Sequence, residues 1–441
     1  MSNTHRKISR ALGNALRVCV TLLLLGGLAF GQALPTASPG SVGLSVERLG
    51  LIRTVLQKEI DADRLPGAVV MIARKGKLVY YEAIGFKDKA AGMPMTRDAI
   101  FRIYSMTKPL VSVVAMMMVE EGKIQLTDPV SKFFPAFSEM KVLVTDKDGN
   151  VATEPAKRPI TVYDLLRHTA GLDYGEFTTI PQIKAAYAEA GLFQPNGAVG
   201  DSRMITAEQE VAGFARAPLV SQPGTNWKYS MAVDLLGRVL EAASGKRLSD
   251  LLEERLFKPM NMVDTGFWVP PAKWTRIAEP LAKDTSTGKP TDPMLDVKIV
   301  PVNDSGGAGG VSTAMDYLRF CQMLLAGGAL DGKRCLSPTT IKLMTSDHLG
   351  NRTTLPLSPG EVLMGVQGYT FGLGFMVRQG PGIAAVSGSE GEFMWGGVAG
   401  TFFWIDPKEK LAVVLMAQVP GSVRQYYRRM LKQLVAQAIV E

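Results

Sequence analysis

A chain of 441 residues, 46% hydrophobic and 20% charged, has ample material for a large buried core, and its composition excludes a disordered or fibrous protein. The formal charge of +8 falls to +4 once the first 33 residues are set aside, because they hold Arg6, Lys7, Arg10 and Arg17 and no acid. So mild and scattered an excess leaves no electrostatic footprint for nucleic acid.

Residues 1–33 read as a secretory leader, with a basic head, an apolar centre over 18–30 and small residues at Gly31 and Ala33. The apolar run is shorter than the roughly 20 residues of a membrane span. Cleavage near 31–33, release into the periplasm or medium and no stable membrane association afterwards are the expectation; an uncleaved anchor is the alternative. Residues 45–63 then carry Leu49, Ile52, Val55, Leu56 and Ile60 at helical spacing. Runs 68–73 and 78–85 are apolar and β-type about Lys75-Gly76, a hairpin signal.

Ser105-Met106-Thr107-Lys108 follows, ahead of a long apolar stretch. A serine and a lysine three apart at a helix start lie one turn from each other on one face, which puts an amine within reach of a weakly acidic hydroxyl. Pro109 suits a first helical turn. A helix beginning at Ser105 would also aim its positive end and the Ser105 N–H at a developing oxyanion. The pattern recurs at Ser138 and Lys141 and at Ser286 and Lys289, but in polar, turn-rich surroundings; only Ser105 precedes a helix that could fix it in a core.

From 105 to about 247 the pattern is mostly helical. Segments 142–158 and 269–300 read as surface excursions, and 176–224 as a roof over a site or a plain connecting insertion. Tyr229 precedes a helix over 233–243 that ends at Ser244-Gly245 in the manner of a C-cap; it either points into a cleft or is half-buried in the core. Gly306-Gly307-Ala308-Gly309-Gly310 lacks the ending of a phosphate loop and reads as a tight turn before a helix at Ala314. Beyond the leader only Cys321 and Cys335 remain, either paired or, for Cys321 in its helical run, a buried thiol. The C-terminal part returns to strands at 369–378, 382–387, 400–405 and 411–418, with Phe393-Met394-Trp395-Gly396-Gly397 opening another. The chain ends on a helix over 423–440, whose apolar stripe is surrounded by Arg424, Arg428, Arg429 and Lys432.

Hairpin first, helices in the middle, strands and a helix last describe an α/β fold: an antiparallel sheet flanked by N- and C-terminal helices, with an inserted all-helical subdomain. The α/β part is expected over about 45–104 and 350–441, and the helical part over about 105–345. His168 and His348 are the only histidines after the leader, and neither sits in a His/Cys cluster, so a three-histidine zinc site is excluded. No G-x-S-x-G occurs either. A serine hydrolase built from this chain must activate its serine without histidine, which returns attention to Lys108.

In chain order, Ser105-x-x-Lys108, Tyr229-Ser230-Met231 and Trp395-Gly396-Gly397 resemble the motifs of the penicillin-recognising serine hydrolases: class C β-lactamases, D,D-peptidases and family VIII carboxylesterases. The stretch from Pro159 through His168 to Leu172 adds to the likeness and is usually structural in such proteins, so His168 is expected to be packed. The resemblance implies Ser105 as nucleophile, Lys108 and Tyr229 as acid/base partners, and an oxyanion hole from the N–H groups of Ser105 and Val398. Two departures stand out. Trp395 occupies the place of a lysine that helps hold a substrate carboxylate, and Met231 that of an amide-binding asparagine. Trp-Gly-Gly is the family VIII form, so the implied activity is cleavage of small esters, with no cofactor or metal; a β-lactamase or peptidase acting on amides is second. A sensor acylated without turnover, or an idle scaffold, is the alternative of another class. Oligomeric state is not legible.

Overall fold

A computed structural model describes residues 34–441, apart from 149 and 352; the leader expected over 1–33 lies outside the described residues. Ser45 caps the first helix, α1 (Val46–Asp61), by accepting the Arg48 N–H, and Leu49, Ile52, Leu56 and Ile60 form its buried stripe. Strands β1 (Gly67–Arg74) and β2 (Lys77–Asp88) follow as the expected hairpin, turning on Lys75 and Gly76 at positive φ. A short β3 (Met93–Pro94) extends it. Helices α2 (Thr107–Glu120), α3 (Ala232–Ser244) and α4 (Ala314–Leu325) carry the middle of the chain. Five strands come last, β4 (Tyr369–Phe371), β5 (Met376–Arg378), β6 (Phe393–Gly396), β7 (Phe402–Asp406) and β8 (Leu411–Ala417), followed by α5 (Val423–Ala436).

All eight strands form one antiparallel sheet in the order β4-β5-β6-β7-β8-β1-β2-β3. β8 pairs with β1 from Ala68 opposite Ala417 to Arg74 opposite Leu411, so both ends of the chain close the sheet. Every residue of β1 is buried, as a central strand covered on both faces requires. Successive side chains of β7 show the two layers. Phe402 and Trp404 meet Arg428 and Lys432 of α5, whereas Phe403 meets Tyr317 of α4 at 5.0 Å between ring centroids.

The architecture is the expected one, and several local readings change. Run 369–378 is two strands, broken at Gly372-Leu373-Gly374, where Gly374 at φ +91° lies so close to Ser112 that an added Cβ would sit 2.4 Å from its Oγ. Run 382–387 is loop, and segment 142–158 folds back as a hairpin of Lys141–Thr145 on Val151–Pro155. Segment 269–300 is more than a surface excursion: Val269, Ile277, Leu295 and Val297 are buried with Ile100 and Tyr104. Cys321 and Cys335 are both buried free thiols. On α5 two of the four basic residues leave the rim of the apolar stripe, while Arg424 and Arg429 stay half-buried at it. Arg424, Arg428 and Lys432 are spaced four apart on one face, and Arg428 and Lys432 are buried in it.

Candidate active site

The turn carrying Ser105 is held from four directions. Phe101–Arg102 pairs with Val311–Ser312, and the Ile103 N–H donates to Gly310 O. Tyr104 has φ +43°, a conformation costing a non-glycine residue of order 1–3 kcal/mol, so its surroundings must impose it. They do: the Leu295 N–H donates to its Oη at 3.0 Å, and Thr107 Oγ1 donates to its carbonyl at 2.6 Å while accepting the Gly310 N–H at 2.9 Å. From α4, Tyr317 Oη donates to Met106 O at 2.8 Å. Ser105 lies in a single 3₁₀ turn, Tyr104–Met106, and α2 begins at Thr107; the expected helix start is thus two residues early.

Lys108 is buried with its Nζ 3.4 Å from Ser105 Oγ. The amine donates more closely to Tyr174 Oη, at 2.8 Å, and to Gly307 O, at 2.7 Å. It also lies over the Tyr229 ring, 4.9 Å from the centroid. Tyr229 stands immediately before α3, its ring 5.5 Å from Tyr174 and 5.1 Å from Trp395, and Trp395 Nε1 donates to its Oη at 3.4 Å. Burial, with the Tyr229 phenol next, pushes Tyr174 well above the usual phenol range and keeps it protonated.

The carbonyl that receives Lys108 is set by α3. Asp234 Oδ1 accepts from the Gly307 N–H at 2.9 Å and from Ser305 Oγ at 2.6 Å. A Cβ on Gly307 would lie 2.1 Å from Asp234 Oδ2, so the glycine is what lets carboxylate and loop meet. The glycine-rich run is therefore a cradle for the lysine as well as a turn.

Gly396, which ends β6, and Gly397 just after it line the cavity and also make room for neighbours within the fold. A Cβ on Gly396 would lie 2.9 Å from the Arg428 guanidinium, and one on Gly397 would lie 2.4 Å from Ile103 O. The second approach brings the strand end beside the nucleophile turn. Among the described residues, neither the Ser105 N–H nor the Val398 N–H has a protein acceptor. Ser105, Tyr174, Tyr229, Trp395 and Val398 line one cavity of about 360 Å³. Phe177 and Leu357, 55% and 59% exposed, also line it, and with Phe177, Val199 and Gly200 on the wall, segment 176–224 contributes to the site and is more than a plain connection.

Two singled-out residues fall elsewhere. Met231 is fully buried at the N-cap of α3, where its apolar side chain is taken into the core, and it does not line the cavity. His168 is buried against Trp227, Tyr229 and Phe371, with Nδ1 3.3 Å from Ser230 Oγ. Burial, with Lys108 next, drops its pKa well below 6.5, so it packs as a neutral ring. Tyr174, Asp234 and Gly307 were not anticipated. Tyr174 lies two residues beyond the Pro159 to Leu172 stretch, and that nearness is the one signal that could have drawn attention to it.

The beta-lactamase family model matches residues 52–437, a span that includes Ser105, Lys108, Tyr229 and Trp395. The chain belongs to the beta-lactamase family. Within that family it is 36% identical over 367 residues to Protein Rv1367c of Mycobacterium tuberculosis, covering 82% of this chain and 88% of that one. It is 29% identical over 379 residues to esterase EstB of Burkholderia gladioli, covering 82% and 88%. Among solved structures it resembles EstCE1, a hydrolase with promiscuous acyltransferase activity, at a TM-score of 0.71 and 29% identity, covering 90% and 99%.

Proposed function

We propose that this beta-lactamase-family chain is a serine hydrolase that cleaves small carboxylic esters through an acyl-enzyme on Ser105. The observation that carries the reading is that Ser105, Tyr174 and Tyr229 line one cavity while the buried Lys108 amine lies 3.4 Å from Ser105 Oγ and 2.8 Å from Tyr174 Oη. Lys108, as the free amine, takes the Ser105 proton while Oγ bonds to the ester carbonyl. The carbonyl oxygen becomes the oxyanion, and the open N–H groups of Ser105 and Val398 are the donors that would receive it. Collapse breaks the carbonyl–alkoxy bond, and the proton returns through Lys108 or Tyr229 to the leaving alcohol. Water then repeats the sequence on the acyl-serine, releasing the acid. No metal or cofactor enters these steps.

The likeness to esterase EstB supports an ester over an amide, as does the indole of Trp395 in the cavity wall. A second reading replaces water by an alcohol in the last step. The likeness to EstCE1 favours it, and the apolar edge at Phe177 and Leu357 would hold such an acceptor. The test is hydrolysis of p-nitrophenyl butyrate by wild type and Ser105→Ala. Ser105→Ala should lose several orders of magnitude, Ser138→Ala and Ser286→Ala should keep nearly full rate, and a serine-directed phosphonate should label Ser105. Label on another serine with full activity in Ser105→Ala sinks the mechanism. A burst that stops after one equivalent would instead mark a sensor, and faster turnover of nitrocefin than of the ester a β-lactamase.

A further inference from the structure

The cavity wall that carries Tyr174 and Tyr229 also carries the residue ahead of each, Asp173 and Lys228. Asp173 is 1% exposed and fixed on three sides. Its Oδ1 accepts the Tyr174 N–H at 2.8 Å, its own N–H donates to Tyr187 Oη at 3.1 Å, and its carbonyl accepts the Met231 N–H at 3.3 Å. Its Oδ2 has no hydrogen-bond donor among the described residues. The Lys228 ammonium faces that oxygen at 3.4 Å, outside hydrogen-bonding geometry, and the lysine side chain is 41% exposed. The backbone of Lys228 is set by its N–H, which donates to His168 O at 2.9 Å. A buried carboxylate oxygen left without a donor costs free energy, so such an oxygen on a cavity wall calls for a donor from the ligand.

The pair decides which chemistry fits. A cationic ligand would meet the Lys228 ammonium and an anionic one the Asp173 carboxylate, a like charge in either case. A hydroxyl satisfies both, because one oxygen can donate to Oδ2 and accept from the ammonium. The rings beside the pair suit the carbon skeleton of such a molecule: Phe177, exposed on the cavity wall, meets Tyr174 at 5.7 Å between centroids, and Tyr229 follows Lys228 directly. Position assigns the hydroxyl to one half of the ester. In the esterase reading the departing alcohol takes its proton through Lys108 or Tyr229, so it leaves on the tyrosine side, whereas the oxyanion faces Val398.

We infer that the natural substrate is an ester of a polyhydroxy alcohol, such as a partly acylated diol or sugar, with a free hydroxyl held between Asp173 and Lys228 while the ester carbonyl rests on Ser105. This rests on the esterase reading above and adds the substrate class.

The test follows acid release from matched esters by the purified full chain in a pH-stat. 2-Hydroxyethyl butanoate and propyl butanoate differ by a hydroxyl in place of a methyl on the alcohol. Methyl 3-hydroxybutanoate and methyl 3-methylbutanoate make the same exchange on the acyl side. 2-Hydroxyethyl butanoate should exceed its twin in kcat/KM by about 10- to 100-fold, as a hydrogen bond to a charged group allows, and the acyl pair should differ far less. Asp173→Ala should bring the first ratio toward one, and Asp173→Asn, whose amide oxygen still accepts, should keep part of it. Lys228→Met, at an exposed position, should lower it as well. A ratio taken within one preparation does not depend on the fraction folded. A first ratio near one in the wild type overturns the inference, as does a hydroxyl preference confined to the acyl pair. So does a ratio unchanged in Asp173→Ala or, where that variant does not fold, in Lys228→Met. Failure of the esterase reading is distinct, since it appears as no turnover of p-nitrophenyl butyrate.

Discussion

Lys108 donates to Tyr174 at 2.8 Å and stands 3.4 Å from Ser105, so the phenol is the tighter partner of the amine that must take the serine proton. A base held by two short contacts, to Tyr174 Oη and to Gly307 O at 2.7 Å, keeps its aim at the nucleophile, and a hydrogen bond between neutral groups is worth about 0.5–1.5 kcal/mol. Tyr174→Phe should therefore lower kcat on p-nitrophenyl butyrate about 2- to 10-fold with a smaller change in KM. Circular dichroism should show the fold intact, since the ring still packs on Tyr229 and Phe177. Wild-type kcat in Tyr174→Phe would remove the tyrosine from the mechanism. Ser105 and Lys108 were legible because three residues make one helical turn. Tyr174 and Gly307 lie 66 and 199 residues from Lys108, and no local period reports such a meeting.

Helix α3 does two jobs with one N-terminus: Tyr229 precedes it, and Asp234 in its first turn fixes the loop whose carbonyl receives Lys108. Its outer flank is tied to the helix Ala207–Arg216 through Glu210. That carboxylate accepts Ser202 Oγ at 2.7 Å and Asn303 Nδ2 at 3.0 Å, with Arg238 Nε at 3.5 Å. Burial, with Asp234 next, raises the Glu210 carboxyl to about 7. The folded state then holds a proton between about pH 4.5 and 7 that the unfolded chain has released, so this group's contribution to stability is present at low pH and lost as pH rises through 7. Glu210→Gln keeps an acceptor for Ser202 but cannot ionise. Thermal melts from pH 5 to 8 should show a flatter dependence in the variant than in wild type, and parallel curves would exclude Glu210 as the source. The elements themselves were readable where periodicity is strong, as in α1, the β1–β2 hairpin and β8. They were misread at 369–378, because Gly372 and Gly374 break one apolar run into two strands to admit the backbone of residue 344 and the side chain of Ser112.

At the scale of the whole molecule, the ends of the described chain meet. β1 pairs with β8, Leu44 bridges Ile439, and the Val440 N–H donates to Gly43 O. A leader removed ahead of this closure would leave the sheet whole. Export predicts a mature N-terminus near Gln32 or Leu34, read by N-terminal sequencing of the periplasmic or secreted fraction. Recovery of full-length protein alone in the membrane fraction would favour the uncleaved anchor. Closure also explains why Arg428 and Lys432 of α5 turn inward. With the sheet complete, the helix face at 424, 428 and 432 lies over β6 and β7, where Arg428 finds the carbonyls of Gly397 and Thr401 and Lys432 finds Glu392.

What the sequence determined by itself is whatever depends on neighbours within a turn or a strand: the serine–lysine pair, the hairpin, the helix caps and the order of strands and helices that implied an antiparallel sheet. These follow from backbone periodicity and apolar patterning, which any short window contains. Tertiary structure alone decided which polar groups converge. It turned Met231 into the core, brought Tyr174 and Gly307 to the lysine, and set Arg424 and Arg428 beside the cavity. A buried polar group must find its partner wherever the fold supplies one, and sequence separation places no limit on where that partner lies.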